Sequence, residues 1–283
     1  MQQRFLNGIR YIPTLPNILA KILALLNDPR SSARQLEEII TYDQALSTKV
    51  LTIANSAYYG FRHEILTVRR AVVALGYEEI RNICLGASLM GFLHPSTFRD
   101  GQQAELLWLH SLAVAEGARL LAEAVSQDME PEVAFTAGLI HDLGKVILAA
   151  FFPEEIDAVL ELMESQNLSF RQAETALGVE HTAVGQALCQ KWDLPPQLVE
   201  AVGKHHELSS ELEFPRLTAA VHVADFLARQ AVMGHSINPD PPQVQVAALP
   251  LLDADEEALE SWQRQLSSRR EAVIALWQTL LQE

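Results

Sequence analysis

The chain has 283 residues, and at roughly 100–200 residues per domain it can form one large domain or two smaller ones around a substantial core. Its 21 Lys and Arg stand against 36 Asp and Glu, a formal charge of −15 that repels a phosphate backbone and argues against nucleic acid as the partner. The composition, 49% apolar and 20% charged, is globular, and no apolar run is read as reaching the length of about 18 residues that a membrane helix needs. With no secretory h-region at the N-terminus, the expectation is a cytoplasmic protein without membrane insertion.

Apolar residues recur at three- and four-residue spacing nearly throughout, and no segment alternates over strand length, so the pattern predicts an all-α chain folded as an irregular multi-helix bundle in two lobes. In chain order, Pro16 and the stripe Ile18, Ile22, Leu26 open the first helix, and Ser32 with Gln35 reads as a capping box. Gly76 after Leu75 reads as a left-handed stop. Cys84 lies in an apolar helical stretch, as does Cys189 later, where a small buried thiol is expected rather than a disulfide. Turn formers from His94 to Thr97, continuing to Gly101, mark a seam. First-turn prolines follow at Pro131, Pro153, Pro196 and Pro215, with a capping box at Ser169 and Gln172 and a second left-handed stop at Gly178. Prolines at 239, 241, 242 and 250 forbid a regular helix over 234–250. A last helix is predicted from about Asp253 to Leu281, and its stripe Leu259, Trp262, Leu266, Val273, Trp277, Leu280 either docks on the body or pairs with a partner. The organisation read from these signals is an N-terminal helical lobe over 1–98, a second lobe over 99–233, and a Pro-rich linker with the amphipathic helix over 234–283.

One string is chemically distinctive. FTAGLIHDLGK, residues 135–145, places His141 and Asp142 in an otherwise apolar helix with Lys145 one turn after the histidine. Taken alone it could be a satisfied core histidine or a structural ion pair with Lys145, since an unpaired buried couple is costly. But His110, His181, His205, His206 and Asp225 also sit in apolar helical stretches. A shared divalent ion explains them together, because neutral imidazoles and carboxylates bound to a metal are no longer unsatisfied.

His110, His141-Asp142 and Asp225 resemble the H…HD…D signature of HD-superfamily metal-dependent phosphohydrolases. The N-terminal half narrows the resemblance: IPTLP at 12–16, YDQAL at 42–46, LTIANSAY at 51–58, Ile65, and AVVALG at 71–76 are similar to the HDOD family, the HD-related output domain of bacterial signalling proteins. The resemblance covers residues from about 10 to 230 and implies a two-lobed all-α bundle, usually with a degenerate metal site, no assigned reaction, and a role in bacterial signal transduction beside receiver or cyclic-dinucleotide domains. No α/β receiver domain is visible in this chain, so one that exists lies outside it.

HDOD proteins commonly lose the metal ligands, whereas this sequence retains them. It also matches, with His181, His205 and His206, the extra histidines of HD-GYP cyclic-di-GMP phosphodiesterases. Carried over, His110, His141, Asp142 and Asp225 would hold one ion, and Asp142, His181, His205 and His206 a second. Lys145 would face a phosphate oxygen if the protein is an enzyme. Ligation by His and carboxylate without cysteine suits Fe, Mn, Zn or Ni, and the resemblance favours Fe or Mn. Two features depart from HD-GYP: the residues from Leu208 to Pro215 replace the Gly-Tyr-Pro element, and Leu106 stands where trinuclear members place a carboxylate. The expected function is therefore a regulatory module acting through protein partners or a small ligand, conceivably a cyclic dinucleotide. The alternative is a metal-dependent phosphohydrolase acting on a cyclic dinucleotide or other nucleotide. For contact with a partner, the expectation falls on Asn55, Tyr58, Tyr59 and Phe61, although Asn55 reads equally as a cap and the aromatic residues equally as packing between the lobes. His63, His94, His222 and His235 have no motif context and read as structural or solvent-exposed.

Overall fold

The computed structural model describes residues 17–28, 30–92, 98–125 and 129–281, and among them there are helices and turns but no strand. The Pro16 start, the Leu26 side chain, the seam at 94–97, His94 and the 12–16 motif lie outside the described residues.

The N-terminal helices are α1 (Asn17–Asn27), α2 (Ala33–Thr41), α3 (Gln44–Ala54), α4 (Val68–Leu75) and α5 (Tyr77–Phe92). Ser32 forms the expected capping box with Gln35 at the start of α2, and Asp43 and Thr67 cap α3 and α4 through their side chains, each such cap contributing about 1 kcal/mol. Gly76 closes α4 at φ 89° and ψ 162°, a region open essentially to glycine alone, rather than in the left-handed conformation expected.

Next come α6 (Gly101–Val125), α7 (Pro131–Ile140), α8 (Leu143–Phe151), α9 (Pro153–Gln166), α10 (Phe170–Leu177), α11 (His181–Lys191), α12 (Pro196–Lys204) and α13 (Pro215–Gln230). Pro131, Pro153, Pro196 and Pro215 all fall in first turns, the Ser169 capping box forms, and Gly178 is left-handed as expected. Helix α6 is the axis of the molecule. It is buried around most of its circumference and packs against α7, α13 and the C-terminal helices. The buried apolar residues form one continuous cluster from Leu19 to Leu280.

The C-terminal part differs from expectation in two ways. A short helix α14 (Ala248–Leu251) forms around Pro250, and the single helix expected over 253–281 is two, α15 (Glu256–Ser268) and α16 (Arg270–Leu281), broken at Arg269. Their stripe docks on the body: Trp262, Leu266, Val273, Trp277 and Leu280 are buried, α15 packs on α6 and α13, and α16 packs on α3 and α6. The run Pro131–Phe151 is, contrary to the sequence reading, long and apolar enough by composition to cross a membrane, but 89% of its most apolar window is buried inside the fold.

Candidate metal centre

Three helices and two turns converge around Asp142. His110 comes from α6, His141 and Asp142 from the α7–α8 turn, His181 from the first residue of α11, His205 and His206 from the turn after α12, and Asp225 from α13. The approach of α11 depends on Gly144, where an added Cβ would lie 1.9 Å from the His181 carbonyl oxygen. Only hydrogen at that position lets the helices cross closely enough to bring His181 to Asp142.

The two oxygens of Asp142 face different histidines. Oδ2 lies 3.3 Å from His141 Nε2 and 3.9 Å from His110 Nε2, while Oδ1 lies 3.5 Å from His181 Nε2 and 3.8 Å from His205 Nε2. Asp225 Oδ1 is 3.0 Å from His110 Nε2. Two donor sets result: His110, His141 and Asp142 in one, and His181, His205 and His206 in the other, with the ligand atoms of each set within 4.8 Å of one another. All seven sequence-singled residues are thus brought together, and apart from the partly exposed His206 none is more than 6% exposed.

The hydrogen bonds behind the rings fix their tautomers. His141 Nδ1 donates to the Gly138 carbonyl at 2.8 Å, His205 Nδ1 to the Val202 carbonyl at 3.0 Å, and His181 Nδ1 to both oxygens of Glu174 at 2.8 Å. A neutral ring that donates through Nδ1 presents a lone pair at Nε2. Those Nε2 atoms, together with His206 Nε2, His110 Nδ1 and Asp142 Oδ1, are buried without a hydrogen-bond partner, and His110 Nε2 and Asp225 Oδ1 have only each other. Each such orphan costs about 1–3 kcal/mol, and so many in one place are sustainable when a cation accepts them. The donor set therefore fits a divalent metal, with outer-shell hydrogen bonds of the kind that orient metal-ligating histidines.

Charge is arranged to the same end. Burial pushes His205 and His206 well below the ordinary imidazole value, which favours the neutral, ligating ring. Burial works against the charged forms of His141, Asp142 and Asp225, but in the absence of an ion the pairing of His141 with Asp142 overcomes it, raising His141 and, with Lys145, lowering Asp142, while His110 lowers Asp225. Of the rings, His141 is thus the one that a metal must compete with a proton to hold. Lys145 Nζ sits 2.8 Å from Asp142 Oδ2, 5.7 Å from the Phe170 ring centre, and is 2% exposed.

Glu174 is the site residue that sequence reasoning missed. Its signal is present: Phe170, Ala173 and Glu174 form the buried face of α10, so an acid stands where an apolar residue belongs. Also missed was the bracing of the His205–His206 turn. His222 donates through Nδ1 to the His205 carbonyl at 2.9 Å and accepts from the Gln245 backbone N–H at 3.0 Å, so it is a fully satisfied structural ring, while Gln245 Nε2 and Arg171 both donate to the His206 carbonyl. His63 is exposed, and His235 Nδ1 accepts from the Ile237 N–H.

The residues expected to contact a partner lie away from the centre. Asn55 ties the loop after α3 by donating to the Ile65 carbonyl and accepting from the Ile65 N–H. The Tyr58 hydroxyl donates to Glu116 and the Tyr59 hydroxyl to Glu79; Arg119 bridges both acids and stacks on Phe135 at 4.3 Å, and Arg269 closes the group on Glu116. Phe61 is the exposed one of the three aromatic residues, 41% accessible. This polar cluster joins the N-terminal helices to α6. Tyr59→Phe, which removes one hydrogen bond to a charged group, is expected to cost about 1.5–3 kcal/mol, read as a lower midpoint in denaturant.

A helical bundle with a buried cluster of five histidines, two aspartates and their outer carboxylate defines an HD-type centre. The HDOD domain model matches residues 12–208, and the chain belongs to that family. Its fold is similar to an HDOD domain protein of unknown function from Geobacter sulfurreducens, with a TM-score of 0.82, 27% identity, and coverage of 99% of this chain and 97% of that one. In sequence it is similar to an uncharacterized protein of Treponema pallidum (strain Nichols), 27% identical over 77% of this chain, and to Ribonuclease Y of Aquifex aeolicus (strain VF5), 30% identical over 46%. The chain spans 42% and 18% of the lengths of those two relatives.

Proposed function

We propose that the chain is a non-catalytic regulatory module of bacterial signal transduction, working in the cytoplasm through protein partners or a small ligand, with a divalent ion in the Asp142 centre as its structural and sensory element. Fe or Mn is favoured for that ion, with Zn and Ni as alternatives. The observation that carries the reading is a full donor set closed off from solvent, with ligands 0–6% exposed except at His206. A metal held this way staples α6, α7, α11, α12 and α13 together, and its binding free energy adds to the stability of the native state. The segment from Leu208 to Pro215 lacks the Gly-Tyr-Pro element that would orient a phosphodiester.

The donor set itself supports a second reading. Metal, Asp142 and Lys145 could serve a phosphohydrolase, and the 30% identity with a relative named Ribonuclease Y over 131 residues keeps phosphodiesters in view. A bound divalent ion would supply Lewis-acid polarisation of a phosphoryl oxygen and an activated water. Positioning accounts for much of phosphoryl-transfer catalysis, so the metal alone gives little rate. The metal-loaded chain is accordingly expected to show no multiple turnover on cyclic-di-GMP, a nucleotide panel or an RNA oligonucleotide. Turnover that disappears with Lys145→Met and with chelation would establish the enzyme reading instead.

A further inference from the structure

Charge is divided unequally along the chain. Residues 1–98 carry 10 Lys and Arg against 7 Asp and Glu, a net +3, whereas the remaining 185 residues carry 11 against 29, a net −18. The acidity of the molecule thus belongs to the part that holds the metal centre, and a basic N-terminal part stands apart from it. The exposed apolar residues gather in the same place. Of the seven large ones among the described residues, four, Tyr42, Phe61, Leu66 and Val73, lie in the N-terminal helices and their loops.

Three of those four fall in one continuous segment, GFRHEILTVRRAVVA at 60–74, which takes in the end of the loop after α3 and most of α4. Ile65, Val68, Ala71 and Val72 are its buried side, and Arg62, Leu66, Arg69, Arg70 and Val73 face out. The fold itself does not occupy these outward groups. Leu66 stands immediately before the cap Thr67, where an apolar side chain ordinarily packs on the fourth helical residue; that residue is Ala71, wholly buried, and Leu66 stays 65% exposed. Val73 is 82% exposed, one turn after Arg70 on the same face of α4. Arg69 is bonded to Glu37 of α2, but Arg62 and Arg70 have no carboxylate partner among the described residues.

We propose that the outer side of 60–74 is a docking surface for an acidic segment of a partner protein, with Phe61, Leu66 and Val73 meeting its apolar side chains and Arg62 and Arg70 its carboxylates. The inference rests on the partner-binding side of the reading above and not on the metal. Arginine beside branched and aromatic side chains is the composition of a protein interface, where complementary charge sets register and speeds encounter. Two unpaired arginines are too few to hold a phosphate backbone against a net charge of −15, and they fall short of the roughly four to eight cations of a segment that settles on anionic lipid. Tyr58 and Tyr59, whose hydroxyls are spent on Glu116 and Glu79, stay behind this surface as support.

The test uses the full chain and a fluorescein-labelled helical peptide of about 18 residues, with leucines at three- and four-residue spacing flanked by glutamates, read by fluorescence anisotropy. Saturable binding is expected, weakened by salt and lost when the sequence is scrambled or the glutamates are replaced by glutamine. Arg70→Glu is expected to weaken it about fivefold or more, and Leu66→Ser with Val73→Ser about tenfold, with Tm unchanged because these side chains are exposed. Arg264→Glu, the same charge reversal on an exposed site of α15, should leave it intact. No binding by the wild type, or equal weakening by Arg70→Glu and Arg264→Glu, would overturn the proposal. So would an Arg70-dependent preference for phosphatidylglycerol vesicles or duplex DNA over the peptide. Peptide binding that survives the substitutions in 60–74 would also overturn it while leaving the partner-binding reading standing, whereas turnover on a phosphodiester, which ends that reading, leaves the anisotropy result as it is.

Discussion

Asp142→Ala is expected to abolish metal binding and to lower stability by about 3–5 kcal/mol even in the presence of chelator, because it leaves the Lys145 ammonium buried without its carboxylate. For a chain of this size that is a fall in Tm on the order of 10 °C, and loss of the bound ion lowers it further when metal is present. Asp142→Asn separates the two contributions. It keeps the shape and one acceptor oxygen beside Lys145 but removes the charge that both donor sets share, so it should lose most bound metal while losing less of the chelator-insensitive stability. Differential scanning calorimetry with and without chelator, alongside elemental analysis, reads both quantities.

The second large effect concerns a residue with no polar atom in its side chain. Gly144→Ala places a methyl group 1.9 Å from the His181 carbonyl oxygen and 2.9 Å from the Gly185 amide nitrogen, so α8 and α11 must move apart. Overpacking against backbone of this kind costs about 3 kcal/mol or more. The separation also draws His181 away from Asp142, so metal affinity is expected to fall about tenfold or more, as when an outer-shell support is lost. Gly91→Ala is the matched control: it sits in α5 with nothing within 4 Å of the new Cβ, and should be neutral or stabilising by up to about 1 kcal/mol. Equal destabilisation by the two substitutions would contradict the close-crossing account of Gly144.

Much of the fold was legible because helix ends carry local chemistry. Ser32 with Gln35, Ser169 with Gln172 and Gly178 each act within a few residues of themselves, and all formed as the sequence indicates. The break at Arg269 was not legible, since the step of seven from Leu266 to Val273 holds its helical phase across the turn, so periodicity does not register the interruption. The seven residues around Asp142 were visible as polar groups in apolar stretches. Glu174 obeys the same rule, but an acid on an eight-residue helix is easily read as solvent-facing until the His181 ring is seen against it. The ties from Tyr58 to Glu116 and from Tyr59 to Glu79 join residues 58 and 20 positions apart. Nothing local in the tyrosine loop points to either acid.

The central claim is that the Asp142 centre is a metal site, and elemental analysis of the full chain purified without a chelating column tests it most directly. The account predicts at least one equivalent of a transition metal per chain, absent from Asp142→Ala, with a Tm in the wild type that drops on chelation. Metal-free native protein whose stability is indifferent both to chelator and to added manganese, iron or zinc would contradict it.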